Sequence, residues 1–63
     1  MKNRYKELEN LVQGMKRDMM AFYDNGNRSA GTRARNSLQT IKKLAQEIRL
    51  DIQAMKNAAS SHT

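Results

Sequence analysis

Apolar residues recur along this chain at alternating intervals of three and four positions, in two stretches separated by a polar break. The first stretch contains Tyr5, Leu8, Val12, Met15, Met19 and Phe22, and the second contains Ala34, Leu38, Ile41, Ala45, Ile48, Ile52 and Met55. This spacing is the a/d pattern of a heptad repeat, in which an α-helix buries one edge against another helix. The pattern predicts two helices, over about residues 3–23 and about residues 28–56.

A run of turn-forming residues, 24–27, lies between the two stretches. Glycine readily takes the left-handed conformation that closes a helix, and we assign this role to Gly26. The side-chain oxygen of Asn27 is suited to cap the helix that follows. Residues 57–63 have neither periodicity nor charge, so we expect a frayed tail there. The sequence thus predicts a single helical-hairpin domain over residues 1–63.

An antiparallel hairpin places the two apolar series against each other, with Phe22 opposite Gly31 near the turn and Tyr5 opposite Ile48 near the open end. We interpret Gly31 as a residue that permits close helix packing. Two helices leave such a seam half open, and the end of the second helix projects beyond the first. We therefore predict an all-α, coiled-coil-like hairpin that forms a homodimer or higher homo-oligomer, as a helical bundle. The expected interface comprises Val12, Met15, Met19, Leu38, Ile41, Ile48, Ile52 and Met55.

The charge of the chain is high and unevenly distributed. Twelve Lys and Arg residues stand against six Asp and Glu, which gives a net charge of +6. Residues 25–46 hold five cations and no acid, and a cation recurs at every seventh position from Arg28 to Lys56. A helix N-terminus favours phosphate, and nearby arginines add charge-assisted hydrogen bonds. The expected phosphate contacts are Asn27, Arg28, Ser29, Thr32, Arg33, Arg35, Lys42, Lys43 and Arg49.

Other classes of protein find little support in the sequence. Cysteine is absent and His62 is the only histidine, so we expect neither a disulfide nor a metal site. We recognise no catalytic group, cofactor site or small-molecule site, and no apolar run reaches the about 20 residues of a membrane span. Two alternatives stay open: the basic series as a solvated face, and the open seam as an adaptor for a partner's helix. A third, a helix on an acidic membrane surface, lacks the Trp-, Phe- and Leu-rich face that such helices use.

The segment Gly26–Arg35, followed by the basic amphipathic stretch Ile41–Arg49, resembles the bacterial linker-histone-like proteins of the chlamydial histone-like family. The resemblance consists of a Gly-Asn-Arg turn, small residues, an Arg-x-Arg pair and a basic helix, and it covers about residues 3–56. It implies a nucleoid-associated, cytoplasmic protein that binds double-stranded DNA with little sequence preference and compacts or bridges it. The residues to which it assigns this role are Arg28, Arg33, Arg35, Lys42 and Lys43.

The end of the chain departs from the chlamydial pattern. Chlamydial members continue into a long tail rich in lysine and alanine, whereas this sequence ends in Ser-Ser-His-Thr. We therefore expect a short form that makes its own phosphate contacts through residues 25–46. Because phosphate contacts alone do not separate DNA from RNA, RNA remains an alternative ligand.

Overall fold

The computed structural model describes residues 3–60. Two α-helices, α1 (Tyr5–Asn25) and α2 (Arg28–Ser60), run in opposite directions and pack side by side. The residues described contain no β-strand, and the hairpin measures 55 × 15 × 14 Å. The predicted fold class, an all-α antiparallel two-helix hairpin, is confirmed.

Both helices extend further toward their C-terminal ends than the periodicity indicated. α1 ends at Asn25 rather than near residue 23, so the turn is shorter than predicted. α2 continues to Ser60, and the frayed tail predicted for 57–63 is therefore wrong for residues 57–60; residues 61–63 lie outside the part that the structure describes. Alanine has the highest helix propensity, so Ala58 and Ala59 favour the continuation of α2. The sequence contains no glycine or proline there that would end the helix.

The turn is closed by backbone hydrogen bonds around Gly26, whose φ is 64°. The Gly26 N–H donates to the Phe22 carbonyl at 2.9 Å, and the Asn27 N–H donates to the Ala21 carbonyl at 3.2 Å. The Gly26 bond is the 5→1 bond of an αL motif, and the two bonds together satisfy carbonyls in the last turns of α1. The Asn27 Oδ1 then accepts the Ala30 N–H at 3.0 Å and caps α2. The roles predicted for Gly26 and Asn27 are confirmed.

The packed seam between α1 and α2 keeps one of the two predicted heptad columns on each helix and replaces the other with the adjoining column. The buried apolar side chains are Met15, Ala30, Ala34 and Leu44, which are 9%, 0%, 3% and 4% exposed. On α2 the shielded residues that follow the heptad spacing are Ala30, Ala34, Ser37, Ile41, Leu44, Ile48 and Asp51. The corresponding series begins at Arg4, the N-cap of α1, and continues along α1 with Leu8, Leu11, Met15 and Asp18. Only some of the predicted seam residues therefore lie between the two helices.

The size of the side chains near the turn explains this choice of seam. Each helix carries two adjoining columns with apolar residues, and spacing alone does not decide which of them packs. Ala30 and Ala34 allow the two helices to approach closely. At Gly31 an added Cβ would lie 2.7 Å from Cδ1 of Phe22, so the Phe22 ring rests directly on the α2 backbone. The interpretation of Gly31 as a close-packing residue, and its pairing with Phe22, are confirmed.

Candidate nucleic-acid interface

One side of the hairpin, which we call the polar side, is closed by ion pairs between the helices. Arg4 binds Glu47 at 2.6 Å and Asp51 at 2.8 Å, near the open end. Arg33 binds Asp18 at 3.0 Å, near the turn. The hydrogen bond that Arg4 donates to Asp51, together with the negative charges of Asp51 and Glu47, raises the pKa of Arg4 above its usual value. The polar side, defined by these five residues, uses its cations within the hairpin.

These ion pairs were not predicted from the sequence. Arg4 and Asp18 occupy the heptad column of Leu11 on α1, and Asp51 occupies the column of Ala30 and Leu44 on α2. The signal in the sequence that could have indicated the ion pairs was the charged residue at each end of the column that contains Leu11. It becomes readable only once the register of the hairpin is known, because Arg4 and Asp51 are 47 positions apart.

The opposite side, which we call the front face, is apolar and open. Near the turn, Met19, Phe22 and Leu38 line one groove, and near the open end Tyr5, Ile52 and Met55 line another. Tyr5, Val12, Leu38, Ile52 and Met55 remain 44–65% exposed. The front face comprises Tyr5, Val12, Met19, Leu38, Ala45, Ile52 and Met55.

A column of cations borders the front face along α2. We call Arg28, Arg35, Lys42, Arg49 and Lys56 the basic edge; all five are exposed. Arg28 and Arg35 line the groove near the turn, and Arg35 and Lys42 line a shallow groove with Leu38. Among residues 3–58, the structure shows none of the five in an ion pair. The basic edge thus presents its charge to solvent.

The structure does not bring the three arginines of the first turns of α2 together. Arg28 and Arg35 line the same groove, whereas Arg33 lies on the polar side and donates from Nε to Asp18. Positions 28 and 35 are seven apart and share a helix face, while position 33 projects elsewhere. Arg33 is already paired with a carboxylate, which separates it from the basic edge.

The remaining predicted phosphate contacts lie at the turn and behind the basic edge. The Oδ1 atom of Asn27 is occupied as the cap of α2, and the Thr32 hydroxyl donates to the Arg28 carbonyl at 3.2 Å. Ser29 is exposed next to the turn. Lys43 is exposed and shares a groove with Lys42. The first turn of α2 contains no acidic residue, so no carboxylate within it offsets the charge of Arg28.

The predicted oligomer interface divides between the two surfaces. Met15 is buried between the helices, and Ile41 and Ile48 are half-buried. The members that lie on the front face, with their apolar surface available, are Val12, Met19, Leu38, Ile52 and Met55.

The described residues hold no group of histidine, cysteine or acidic side chains suited to a metal ion. Among the helices described, none is long and apolar enough to span a membrane. A thin hairpin with a polar side, an apolar front face and a solvent-exposed basic edge belongs to the class of small basic proteins whose surface suits a polyanion.

A comparison with protein families identifies which proteins of that class it resembles. Residues 2–58 match the family described as "Histone H1-like protein Hc1". The match covers most of the 63 residues, and the chain belongs to this histone H1-like family. The family is histone-like and not one of enzymes. Neither the curated proteins nor the solved structures contain a match to the chain.

Proposed function

We propose that this protein is a nucleoid-associated, DNA-binding protein that contacts the phosphate backbone of duplex DNA through its basic edge. The observation that carries the proposal is the exposed column of five cations, none of which forms an ion pair with the residues described. Membership of a histone H1-like family supports the same ligand. Lys43, directly beside the column, adds to the same field of positive charge.

The dimensions of the basic edge suit a duplex. Residues 28 and 56 are separated by about 42 Å along an α-helix, slightly more than the about 34–36 Å of one turn of B-DNA. The edge therefore reaches phosphates along a full turn of the double helix. Because the α2 backbone is regular over this length, the cations hold a fixed spacing of about 10 Å.

The contacts proposed are to phosphate, and they predict binding that is largely independent of sequence. Phosphate contacts position a protein on DNA without reading its bases. If about five phosphates are neutralised per monomer, the logarithm of the affinity falls with the logarithm of the salt concentration by roughly 4–5 units. Arginine at three of the five positions adds planar, bidentate donors for phosphate oxygens.

Two double variants of equal charge test the proposal. Arg28→Ala with Arg35→Ala removes two cations from the basic edge, and Lys6→Ala with Arg17→Ala removes two from the outer surface of α1. We expect the first variant to lower the salt slope by about 2 units and the second to leave it nearly unchanged. The measurement is fluorescence anisotropy with a short duplex across a range of salt. Equal losses in the two variants would show that net charge alone binds DNA.

A further inference from the structure

The front face is too large and too apolar to suit an isolated chain in water. No large side chain among the residues described is fully buried, and the buried core consists of Met15, Leu44 and two alanines. A chain of this size rarely stabilises itself with a single small core. Contiguous apolar surface of this kind on a small protein marks a site of association.

We propose that the front face is covered by a second copy of this chain, with both turns at the same end of a four-helix bundle. In this arrangement α2 of one protomer lies across α1 of its partner. The front face supplies apolar residues from both helices along its whole length, from Met19 and Leu38 near the turn to Tyr5 and Met55 at the open end. It is therefore suited to a twofold arrangement, in which the same surface is used by both protomers.

The charges on either side of the front face select the orientation. Two hairpins stacked front to front have either both turns at the same end or the turns at opposite ends. With opposite ends, α2 faces the partner's α2, and the two basic edges run beside each other. Five cations would then face five cations, which destabilises a helical interface. With the turns together, the basic edge instead lies beside α1 of the partner.

The α1 border of the front face accommodates a basic neighbour. One heptad column outward from Tyr5 and Val12, α1 carries Glu9, Lys16 and Tyr23, a column with no net charge. In the register set by Phe22 and Gly31, residue 9 is level with residue 44 and residue 16 with residue 37. Glu9 of one protomer, which also pairs with its own Lys6, then lies near Lys42 of the other, and Lys16 lies near Arg35. The same-end orientation thus replaces a row of like charges with a neutral border.

The orientation determines how many duplexes the dimer holds, and this step rests on the proposed function. With the turns together, the twofold axis runs along the bundle and places the two basic edges on opposite flanks, facing away from each other. Each edge then contacts its own duplex, so the dimer bridges two DNA segments. With the turns at opposite ends, both edges would lie on one flank and converge on a single duplex.

Distances between spin labels test the orientation without DNA. The chain has no cysteine, so Asn25→Cys and Gln53→Cys each give a single labelling site, one near each end of the hairpin. Diagonal helices of a bundle lie about 14 Å apart when neighbours are about 10 Å apart. We therefore expect pulsed electron paramagnetic resonance distances of about 15–25 Å at both sites. Distances of about 30 Å or more at both sites, the length of α1, would overturn the orientation.

A matched pair of α2 variants tests the surface. Leu50 and Ile52 are both apolar, 58% and 52% exposed, but only Ile52 belongs to the front face. We expect Ile52→Asn to raise the dimer dissociation constant at least tenfold in sedimentation equilibrium, and Leu50→Asn to change it less than threefold. Equal effects of the two variants would overturn the assignment of the front face. If the wild-type protein is a monomer at tens of micromolar, dimerisation is overturned. A helix of a different protein then becomes the candidate for covering the front face.

Bridging is measured separately from binding, by capture of a fluorescent duplex on beads that carry a second duplex. We expect Ile52→Asn to lose capture several-fold while retaining anisotropy binding to a single duplex. Capture that persists in a monomeric Ile52→Asn variant would overturn the bridging step. If neither variant nor wild type binds a single duplex, the proposed function fails, whereas the label distances still decide the orientation.

Discussion

The polar side and the front face differ in how far their side chains are paired within the hairpin. On the polar side, Arg4 and Arg33 find carboxylates on the facing helix at 2.6–3.0 Å. On the front face, Ile52 and Met55 have apolar surface without such a partner and remain 52% and 60% exposed. The charged residues of the polar side are paired within the hairpin, whereas the apolar residues of the front face remain exposed.

Truncation of the seam is expected to have the largest effect on this arrangement. Leu44 is 4% exposed between the helices, whereas Leu50 is 58% exposed on the outer surface of α2. We expect Leu44→Ala to lower the free energy of unfolding by about 2–4 kcal/mol and Leu50→Ala by about 0.5 kcal/mol or less. Urea unfolding at one protein concentration, followed by circular dichroism, measures both. Similar losses would mean that the seam has been misplaced.

Two glycine-to-alanine substitutions, one at a packed position and one at an open position, are expected to change the stability of the hairpin in opposite directions. At Gly31 a new Cβ would meet the Phe22 ring at 2.7 Å, and at Gly14 it would meet nothing within 4 Å. We expect Gly31→Ala to destabilise the hairpin by about 1 kcal/mol or more and Gly14→Ala to stabilise it by about 0.5–1 kcal/mol. Thermal unfolding of the two variants checks the signs. Stabilisation by Gly31→Ala would contradict the close contact at the turn.

Removal of the ion pairs on the polar side should have the smallest effect. We expect Arg4→Gln to lower the urea midpoint slightly at low salt, and the difference from wild type to shrink at 1 M salt, where charges are screened. Lys6→Gln, which removes a pair within a single helix turn of α1, is the matched control and should change the midpoint less. A difference that persists at 1 M salt would assign the effect to packing of the Arg4 stem instead.

Most of the fold was readable from the sequence, because local signals specify it. The alternation of apolar spacings predicted two helices. Gly26 marked the turn because glycine readily takes the left-handed conformation, and Asn27 marked it because its side chain can cap the helix that follows. The pairing of Phe22 with Gly31 followed from counting outward from that turn. These features depend on residues close in sequence or on a register fixed by one short loop.

The choice between adjoining heptad columns was not readable in the same way. Leu38 and Leu44 have the same side chain, and only close approach at Ala30 and Ala34 decides that Leu44 is the buried one. The separation of Arg33 from Arg28 and Arg35 has a related cause. Proximity in sequence suggested one cluster, whereas the helix turns Arg33 toward Asp18. Such outcomes depend on which faces meet, and a single-chain pattern does not contain that information.

The most direct test of the central claim is a nuclear magnetic resonance titration of the arginine Nε–H groups with a short duplex. The chain has six arginines, and each gives its own signal. Arg28, Arg35 and Arg49 lie on the basic edge, whereas Arg4 and Arg33 are bound to carboxylates. We expect the first three signals to shift on addition of DNA and the other two to stay in place. Shifts confined to Arg4 and Arg33, or equal shifts of all six, would contradict it.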